Sequence, residues 1–168
     1  AHIGVGFKKW GFLTSFTYSK FGDLKQGTHG PEDYVQKYIV QPNYIVGKSV
    51  NDIVTVNTDE RLQTPSGYDQ FNIMQKFRYA PNGNLNLEYA FHYSQTSEYA
   101  RYDRLQRMRN DLPRYAEWNY GPQKWMMNQL LIESNRSTVM FDSLKVNGAF
   151  QIFEESRISR DLNKSNRE

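Results

Sequence analysis

The sequence contains no cysteine among its 168 residues. Disulfides, cysteine-based zinc sites and thiol nucleophiles are therefore excluded from these residues. No stretch approaches the roughly 18–20 consecutive apolar residues that a membrane-spanning helix requires. The first residues also lack the basic and then apolar pattern of a signal peptide. We therefore expect any membrane crossing to be made by strands, and any targeting signal to lie outside these residues.

Motifs of enzyme chemistry are also missing. Asp and Glu are too scattered to nominate a carboxylate pair for hydrolysis, and there is no Gly-x-Ser-x-Gly sequence or phosphate-binding loop. The histidines, His2, His29 and His92, do not have the spacing of metal ligands. We interpret His92 and Glu88 as polar residues of one strand face. We therefore expect no enzyme activity, no metal site and no cofactor.

Charge gives little indication of a partner, whereas the aromatic content is high. The 21 basic and 18 acidic residues give a net charge of +3 and are intermixed over most of the chain. This balance does not favour a nucleic-acid partner. Hydrophobic residues make up only 38%, yet 12 Tyr and 10 Phe raise the aromatic share to 15%. Large rings in a polar chain are typical of a membrane wall with one apolar and one wet face.

Apolar side chains recur at every second position in several segments, which places them on one face of a strand. In the clearest segment, Leu85 to Tyr93, the odd-numbered residues are apolar and the even-numbered ones are mostly polar. The pattern predicts about six strands. The other predicted strands lie before Lys8, at Trp10–Tyr18, at Phe71–Tyr79, at Gln123–Glu133 and at Leu144–Ile152.

The predicted connections between these strands alternate between short and long. Short turns are expected near Lys8-Lys9, at Pro81–Asn84, where Asn82-Gly83 would supply positive φ angles, and at Asn135–Phe141. Long joins cover about Gly22–Ser66 and Tyr99–Gly121, and a third begins after Ser156. Outer-membrane barrels have short periplasmic turns and long extracellular loops. In the first long join, Tyr38-Ile39-Val40 and Tyr44-Ile45-Val46 flank Gln41-Pro42-Asn43 and predict a small hairpin.

The predicted fold class is therefore all-β, an antiparallel up-and-down transmembrane β-barrel segment of about six strands with short periplasmic turns and long extracellular loops. Six strands cannot close, because membrane barrels start at about eight strands and an open edge in lipid leaves backbone groups unsatisfied. We expect residues 1–168 to be one section of a larger wall.

Several segments, spread in order over nearly the whole chain, resemble TonB-dependent outer-membrane receptors, particularly the siderophore/colicin and vitamin B12 receptor-like group. Their number and order carry the resemblance, since none is a catalytic signature. They are Phe12–Ser19, Phe21–Leu24, Gly30–Tyr34, Asn72–Lys76, Phe91–Ser94, Tyr99–Arg104, Tyr120–Met127 and Phe153–Arg157.

The resemblance implies a barrel of about 22 strands around an N-terminal plug, in the outer membrane of a Gram-negative bacterium. It implies active uptake of a scarce solute, such as a ferric siderophore or a cobalamin-like ligand, driven by the TonB complex. Residues 1–168 would be about a quarter of such a barrel. The plug, the TonB box and the remaining strands are absent from this sequence, so coupling to TonB would reside in a longer parent chain.

The segment from Arg101 to Arg114 is rich in arginine and is the candidate ligand site of the long extracellular loop. Arginine forks suit anionic ligands because they present paired donors to carboxylate or phosphate. The segment has two interpretations. It is a site for a small-molecule ligand or lipopolysaccharide phosphate, or it is a solvated loop with internal Arg–Asp pairs, which is the more usual role of a charge cluster. The candidate residues are Arg101, Tyr102, Arg104, Arg107, Arg109, Trp118 and Tyr120.

The aromatic residues near the predicted strand ends are interpreted mainly as a membrane-interface girdle. Stacking against a ligand is the alternative for those next to the arginine-rich segment. The girdle residues would be Trp118, Tyr120 and Trp125, with Tyr18, Phe21 and Tyr93 at one rim and Trp10 and Tyr79 at the other.

Two other hypotheses stay open. A barrel of another kind, such as a passive porin or an outer-membrane enzyme scaffold, would share the strand pattern but have no plug upstream. A soluble, aromatic-rich β-domain that binds carbohydrate would stay dissolved without detergent and melt cooperatively. A plug domain encoded before residue 1 would favour the receptor.

Overall fold

The computed structural model describes residues 1–43 and 51–168, and the chain is all-β with antiparallel pairing. This confirms the predicted all-β class. The strands, in chain order, are β1 (His2–Gly6), β2 (Trp10–Phe21), β3 (Leu24–Lys25), β4 (Tyr38–Gln41), β5 (Ile53–Val56), β6 (Leu62–Gln63), β7 (Tyr68–Asn82), β8 (Leu85–Thr96), β9 (Tyr99–Ala100), β10 (Met108–Arg109), β11 (Leu112–Pro113), β12 (Tyr115–Tyr120), β13 (Lys124–Ser134), β14 (Leu144–Glu154) and β15 (Arg157–Asp161). The helical pieces are a 3₁₀ turn at Glu32–Tyr34 and α1 (Tyr102–Leu105).

The chain forms two compact units. The first, which we call the sheet unit, consists of Ala1–Ser19, Gln70–Gln95 and Gln123–Glu154. The second, which we call the connection unit, consists of Lys20–Asp69, Thr96–Pro122 and Glu155–Glu168. Each unit is described by itself below.

The sheet unit contains a six-stranded sheet in the order β1-β2-β7-β8-β13-β14. Neighbours in this sheet are the predicted strands in chain order, so the six predicted strands and their up-and-down order are confirmed for this sheet. As a count for the chain, six is too low, because the described residues contain nine further strands outside this sheet. In the part of the chain that the structure describes, no sheet closes into a barrel. The antiparallel register is continuous over all eleven residues of β13, which pairs with β8 on one side and β14 on the other.

The register collects the apolar positions of neighbouring strands on one face, because paired residues point the same way. Leu130 is paired with Tyr89, and Asn128 with both Phe91 and Phe150. This apolar face is largely uncovered: Leu130 is 49% exposed and Phe150 is 62% exposed. The face also includes Val5, Trp10, Phe12, Phe16, Tyr18, Phe77, Val146 and Ile152.

The other face of the same sheet is mainly polar and carries cross-strand contacts. The Lys76 Nζ atom lies 3.0 Å from Glu88 Oε1, and Lys145 Nζ lies 2.9 Å from Glu133 Oε1. Asn86 Nδ2 donates to Glu133 Oε2 at 3.0 Å. Glu88 is therefore engaged with lysine, while His92 lies with its ring centroid 6.0 Å from that of Trp125.

The connections alternate as predicted. Short ones join β1 to β2, β7 to β8 and β13 to β14, and long ones join β2 to β7 and β8 to β13. One detail of the prediction is wrong: neither Asn82 nor Gly83 has a φ angle in the left-handed region. The turn is instead closed by the Asn82 side chain, whose Oδ1 accepts from the backbone N–H groups of Asn84 and Leu85 at 3.0 Å. Such a side-chain turn needs no positive φ.

The connection unit is built from small sheets. Their strand orders are β15-β12-β9, β3-β6, β4-β5 and β10-β11. The small hairpin predicted in the first long join has a different partner, because Tyr38–Gln41 pairs with Ile53–Val56. The predicted partner, Tyr44-Ile45-Val46, lies outside the described residues. The buried apolar side chains of this unit include Ala116, Trp118 and Leu162.

Among the residues described, no helix is long and apolar enough to cross a membrane.

Candidate functional site

The arginine-rich segment lies in the connection unit and begins directly after β9. Arg101 precedes α1, and the chain then turns through the β10–β11 hairpin. Asn110 and Asp111 occupy the tip of that hairpin with φ angles of 52° and 62°. Two left-handed residues form the kind of tight turn that connects antiparallel strands. Arg109 lies in this hairpin, and its Nη1 atom is 3.1 Å from Asp161 Oδ2.

The ring of Trp118, in β12, is the centre of the site. It is only 8% exposed. The guanidinium carbons of Arg101, Arg104 and Arg157 lie 5.4, 5.5 and 5.7 Å from its ring centroid. Guanidinium groups at this distance are attracted by the electrons of the indole face, by about 0.5–2 kcal/mol each depending on desolvation.

Arg101 is fully engaged within the unit. It donates from Nε and Nη2 to the two carboxylate oxygens of Asp103, at 2.8 and 2.7 Å, and from Nη1 to the Tyr120 hydroxyl at 3.2 Å. The hydrogen bonds from Arg101 lower the pKa of Asp103, although burial opposes this. The pKa of Arg101 is raised, first by the hydrogen bond to Asp103 and then by that to Tyr120.

Arg104 and Arg157 are less engaged. The Arg104 Nε atom lies 3.7 Å from Asp103 Oδ2, too far for a hydrogen bond. It is buried and has no hydrogen-bond acceptor among the described residues. Arg157 opens β15, is exposed, and makes no ion pair in the described ranges. Two arginines at this ring therefore keep hydrogen-bonding capacity.

The other predicted site residues are not brought to this ring. Arg109 forms an ion pair with Asp161 at 3.1 Å. Tyr102 is half-buried in α1. Arg107 is exposed, and within residues 1–43 and 51–168 its side chain makes no hydrogen bond or ion pair. Of the seven predicted residues, the structure gathers Arg101, Arg104, Trp118 and Tyr120 around one indole.

The girdle interpretation fails for Trp118. A girdle ring faces lipid at the membrane interface, whereas Trp118 is buried in the connection unit and covered by arginines. Trp125 lies in β13, and its Nε1 donates to Gln151 on the mainly polar face at 3.2 Å. Trp10 and Tyr79 stack with ring centroids 3.9 Å apart on the apolar face.

A buried ion pair holds β15, and with it Arg157, in place. Both side chains of the pair, Asp52 and Arg160, are 0% exposed, and Arg160 Nη2 lies 2.7 Å from Asp52 Oδ1. The backbone amides of Asn43 and Asn163 also donate to Asp52, at 2.9 and 2.7 Å. Burial alone would raise the pKa of Asp52, but the hydrogen bonds from Arg160 and the two amides outweigh it and lower the pKa.

Sequence reasoning missed Arg157 and the buried pair as parts of the site. It predicted internal Arg–Asp pairs in the arginine-rich segment without naming Asp103, and such a pair is present between Arg101 and Asp103. Arg157 is far from Trp118 in the chain, and it reaches the ring because β15 pairs with β12, where Ser159 is opposite Trp118. No local motif encodes this pairing. Asp103 could have been found, because an acid two residues after Arg101 in an arginine-rich segment is a ready ion-pair partner.

The connection unit also contains a cleft of about 980 Å³, which sequence reasoning did not predict. Gln106 lines this cleft and donates from Nε2 to the Tyr34 carbonyl at 2.9 Å, which ties the two long joins together. The charged residues that line the cleft are Glu32, Lys37, Asp59, Glu60, Arg61 and Asp111. The described residues contain no group of three His, Cys, Asp or Glu side chains that could hold a metal ion.

Compared with models of protein families, with curated proteins and with solved structures, the chain has no match.

Proposed function

We propose that this chain is part of the β-barrel wall of an outer-membrane TonB-dependent receptor that takes up a scarce solute, such as a ferric siderophore or a cobalamin-like ligand. The observation that carries the proposal is the single-layer sheet of the sheet unit. One of its faces is apolar and uncovered, and the other is mainly polar and cross-linked by ion pairs.

Exposure of the apolar face of such a sheet to water is unfavourable in free energy. Burial of apolar surface contributes about 25 cal/mol per Å², and the apolar face of this sheet leaves Phe16 47% exposed and Phe150 62% exposed. A bilayer would cover these side chains, and the polar face would then line a wet lumen. The soluble carbohydrate-binding alternative leaves this apolar face without a cover.

The chain order agrees with a transmembrane barrel wall. Consecutive strands are neighbours in the sheet, and short and long connections alternate. In the six-stranded sheet, β2, β7, β8, β13 and β14 contain at least eleven residues each. About 9–11 tilted residues cross a bilayer. We assign the short turns to the periplasmic side and the long joins to the extracellular side.

The proposed partners follow from this placement. The apolar face would contact the lipid bilayer and lipopolysaccharide. Of the predicted site residues, the long joins would offer the cluster of Arg101, Arg104, Trp118 and Tyr120 to a small-molecule ligand. The TonB complex would act through a plug domain outside these residues. A passive porin shares the wall and differs by having no plug.

Paired cysteine substitutions test the lipid-facing assignment, because the sequence has no cysteine of its own. Phe150→Cys lies on the apolar face, and its neighbour Gln151→Cys lies on the other. In the protein folded in bilayers, each cysteine is labelled with a bimane fluorophore and exposed to spin-labelled lipids. We expect the lipids to quench the label at position 150 and water-soluble iodide to quench the label at 151.

Equal quenching of both labels by iodide, together with folding in the absence of detergent or lipid, would contradict a transmembrane wall. Measurements of solute uptake distinguish a TonB-dependent receptor from a passive porin. Deleting the TonB gene in cells that express the complete protein should abolish accumulation of the solute by a receptor. Uptake that does not change in such cells would favour the porin.

A further inference from the structure

We propose that Arg104 and Arg157 form, beside the ring of Trp118, a binding site for an oxyanion, that is, a carboxylate or phosphate group. The inference rests on the proposed function only for the role of the anion in uptake. The site itself belongs to the connection unit and can be tested apart from any membrane insertion.

The first argument is charge. Three guanidinium groups lie within 5.7 Å of one ring centroid. Asp103 contacts two of them: both of its oxygens accept hydrogen bonds from Arg101, and its Oδ2 also lies 3.7 Å from Arg104 Nε. The positive charges of Arg104 and Arg157 are therefore in excess at a partly buried ring. An anion between them would relieve their mutual repulsion.

The second argument is unmet hydrogen bonding. The Arg104 Nε–H is buried without an acceptor in the described part of the chain. A buried donor without an acceptor is uncommon and costly, and a missing ligand is one explanation for it. An oxyanion would accept this bond, and its second oxygen would suit the fork of a guanidinium group.

The third argument is geometry. A guanidinium group that stacks on an aromatic face keeps its N–H groups in its own plane, where an anion can reach them. Arg157 is exposed and the Arg104 side chain is 31% exposed, so an anion can reach both side chains from solvent. The Nε atom of Arg104 is itself buried, so a bond to it requires a local movement of the side chain on binding. The indole ring fixes the two cations and reduces the entropy that they lose on binding.

The test measures binding of inorganic phosphate and of citrate to the full chain by calorimetry at constant ionic strength, with chloride as the reference anion. Arg104→Gln and Arg157→Gln should each weaken the binding of these anions by about tenfold, the order expected for loss of one charge-assisted hydrogen bond. Arg107→Gln is the matched control. It removes the same charge from the same segment without touching the ring, and it should change the affinity less than about twofold.

Arg104→Lys is the second variant, in case Arg104→Gln disturbs the packing on Trp118. It keeps the charge and loses the Nε donor, and we expect the same direction of change. A further arm titrates lipopolysaccharide micelles to distinguish a lipid phosphate from a soluble anion. Binding in either arm that depends on Arg104 and Arg157 supports the site.

Two results would overturn the inference. One is no binding of phosphate, citrate or lipopolysaccharide above chloride. The other is an equal loss in Arg107→Gln, which would indicate general electrostatic attraction. If no anion binds at Arg104 and Arg157, while lipids still quench the fluorophore at Phe150→Cys, only this inference is contradicted. If the anion binds, while iodide quenches both cysteine labels and the protein folds without detergent or lipid, only the proposed function is contradicted.

Discussion

The ion pair of Asp52 and Arg160 is the residue-scale feature with the largest consequence for the site. Removing one partner of a buried pair leaves the other charge uncompensated, which costs about 3–5 kcal/mol. Asp52→Ala would bring Arg160 close to this state, because its side chain is 0% exposed and the other carboxylate near it, Glu117, lies further away, with Oε2 3.8 Å from Arg160 Nε. We therefore expect the amides of β15 to exchange hydrogen much faster in Asp52→Ala than in the wild type.

The control for this substitution is Asp59→Ala. Asp59 also contacts a cation, Lys25, but both side chains are well exposed. Exposed pairs contribute little because water and salt screen them, so hydrogen exchange in β15 should stay close to that of the wild type. Similar exchange in both variants would show that the buried pair does not hold β15.

The same pair predicts a dependence of stability on pH. The folded state lowers the pKa of Asp52, so the stabilisation is fully present above the ordinary aspartate pKa of about 3.9. It is lost as the pH falls from there through the lowered pKa of the folded state. Hydrogen exchange in β15, corrected for its intrinsic pH dependence, should therefore accelerate below about pH 4. Asp52→Asn should not show this step.

At the scale of elements, the β7–β8 turn depends on one side chain. Asn82 Oδ1 accepts from the amides of Asn84 and Leu85, both at 3.0 Å. Asn82→Ala removes these acceptors, and we expect a local loss of about 1 kcal/mol. Amide exchange at residues 84 and 85 should then accelerate by about five- to tenfold. Asn84→Ala is the control, and an equal effect there would rule out the Asn82 turn.

The strands could be predicted because their signal is local, whereas the site could not. Alternation of Leu85, Leu87 and Tyr89 with polar residues defines a strand without knowledge of its neighbours. The environment of Trp118 depends on Arg157, which arrives through the pairing of β15 with β12. A tryptophan near a strand end also fits a membrane-interface girdle. Only the tertiary pairing of strands distinguishes a girdle residue from a buried residue of a site.

Turn chemistry was partly predictable for a similar reason. The sequence Asn82-Gly83 marks a hairpin wherever it follows a strand pattern, and the turn does fall there. The backbone route through it was not predictable, because asparagine can close a turn either with a left-handed backbone or with its side chain. In this turn the side chain supplies the acceptor.

At the scale of the whole molecule, an added positive charge should destabilise folding much more on one face of the sheet than on the other. An arginine on the lipid face of a membrane barrel costs about 2–4 kcal/mol near the bilayer centre. If the proposed function holds, we expect this cost for Phe150→Arg, measured as the free energy of folding of the complete protein into phospholipid vesicles. Gln151→Arg places the same group on the opposite face and should cost much less. Equal costs at the two positions would contradict a lipid-facing side at Phe150.

The alternation of the two faces also constrains how such a chain can change in length. Deleting one residue from the middle of β13 would turn every later side chain of the strand over, so that Leu130 and Glu133 exchange surroundings. Deleting two residues would preserve the orientation and only shorten the strand. Viable length variants should therefore differ by even numbers of residues within the six strands of the sheet and by any number in the long joins.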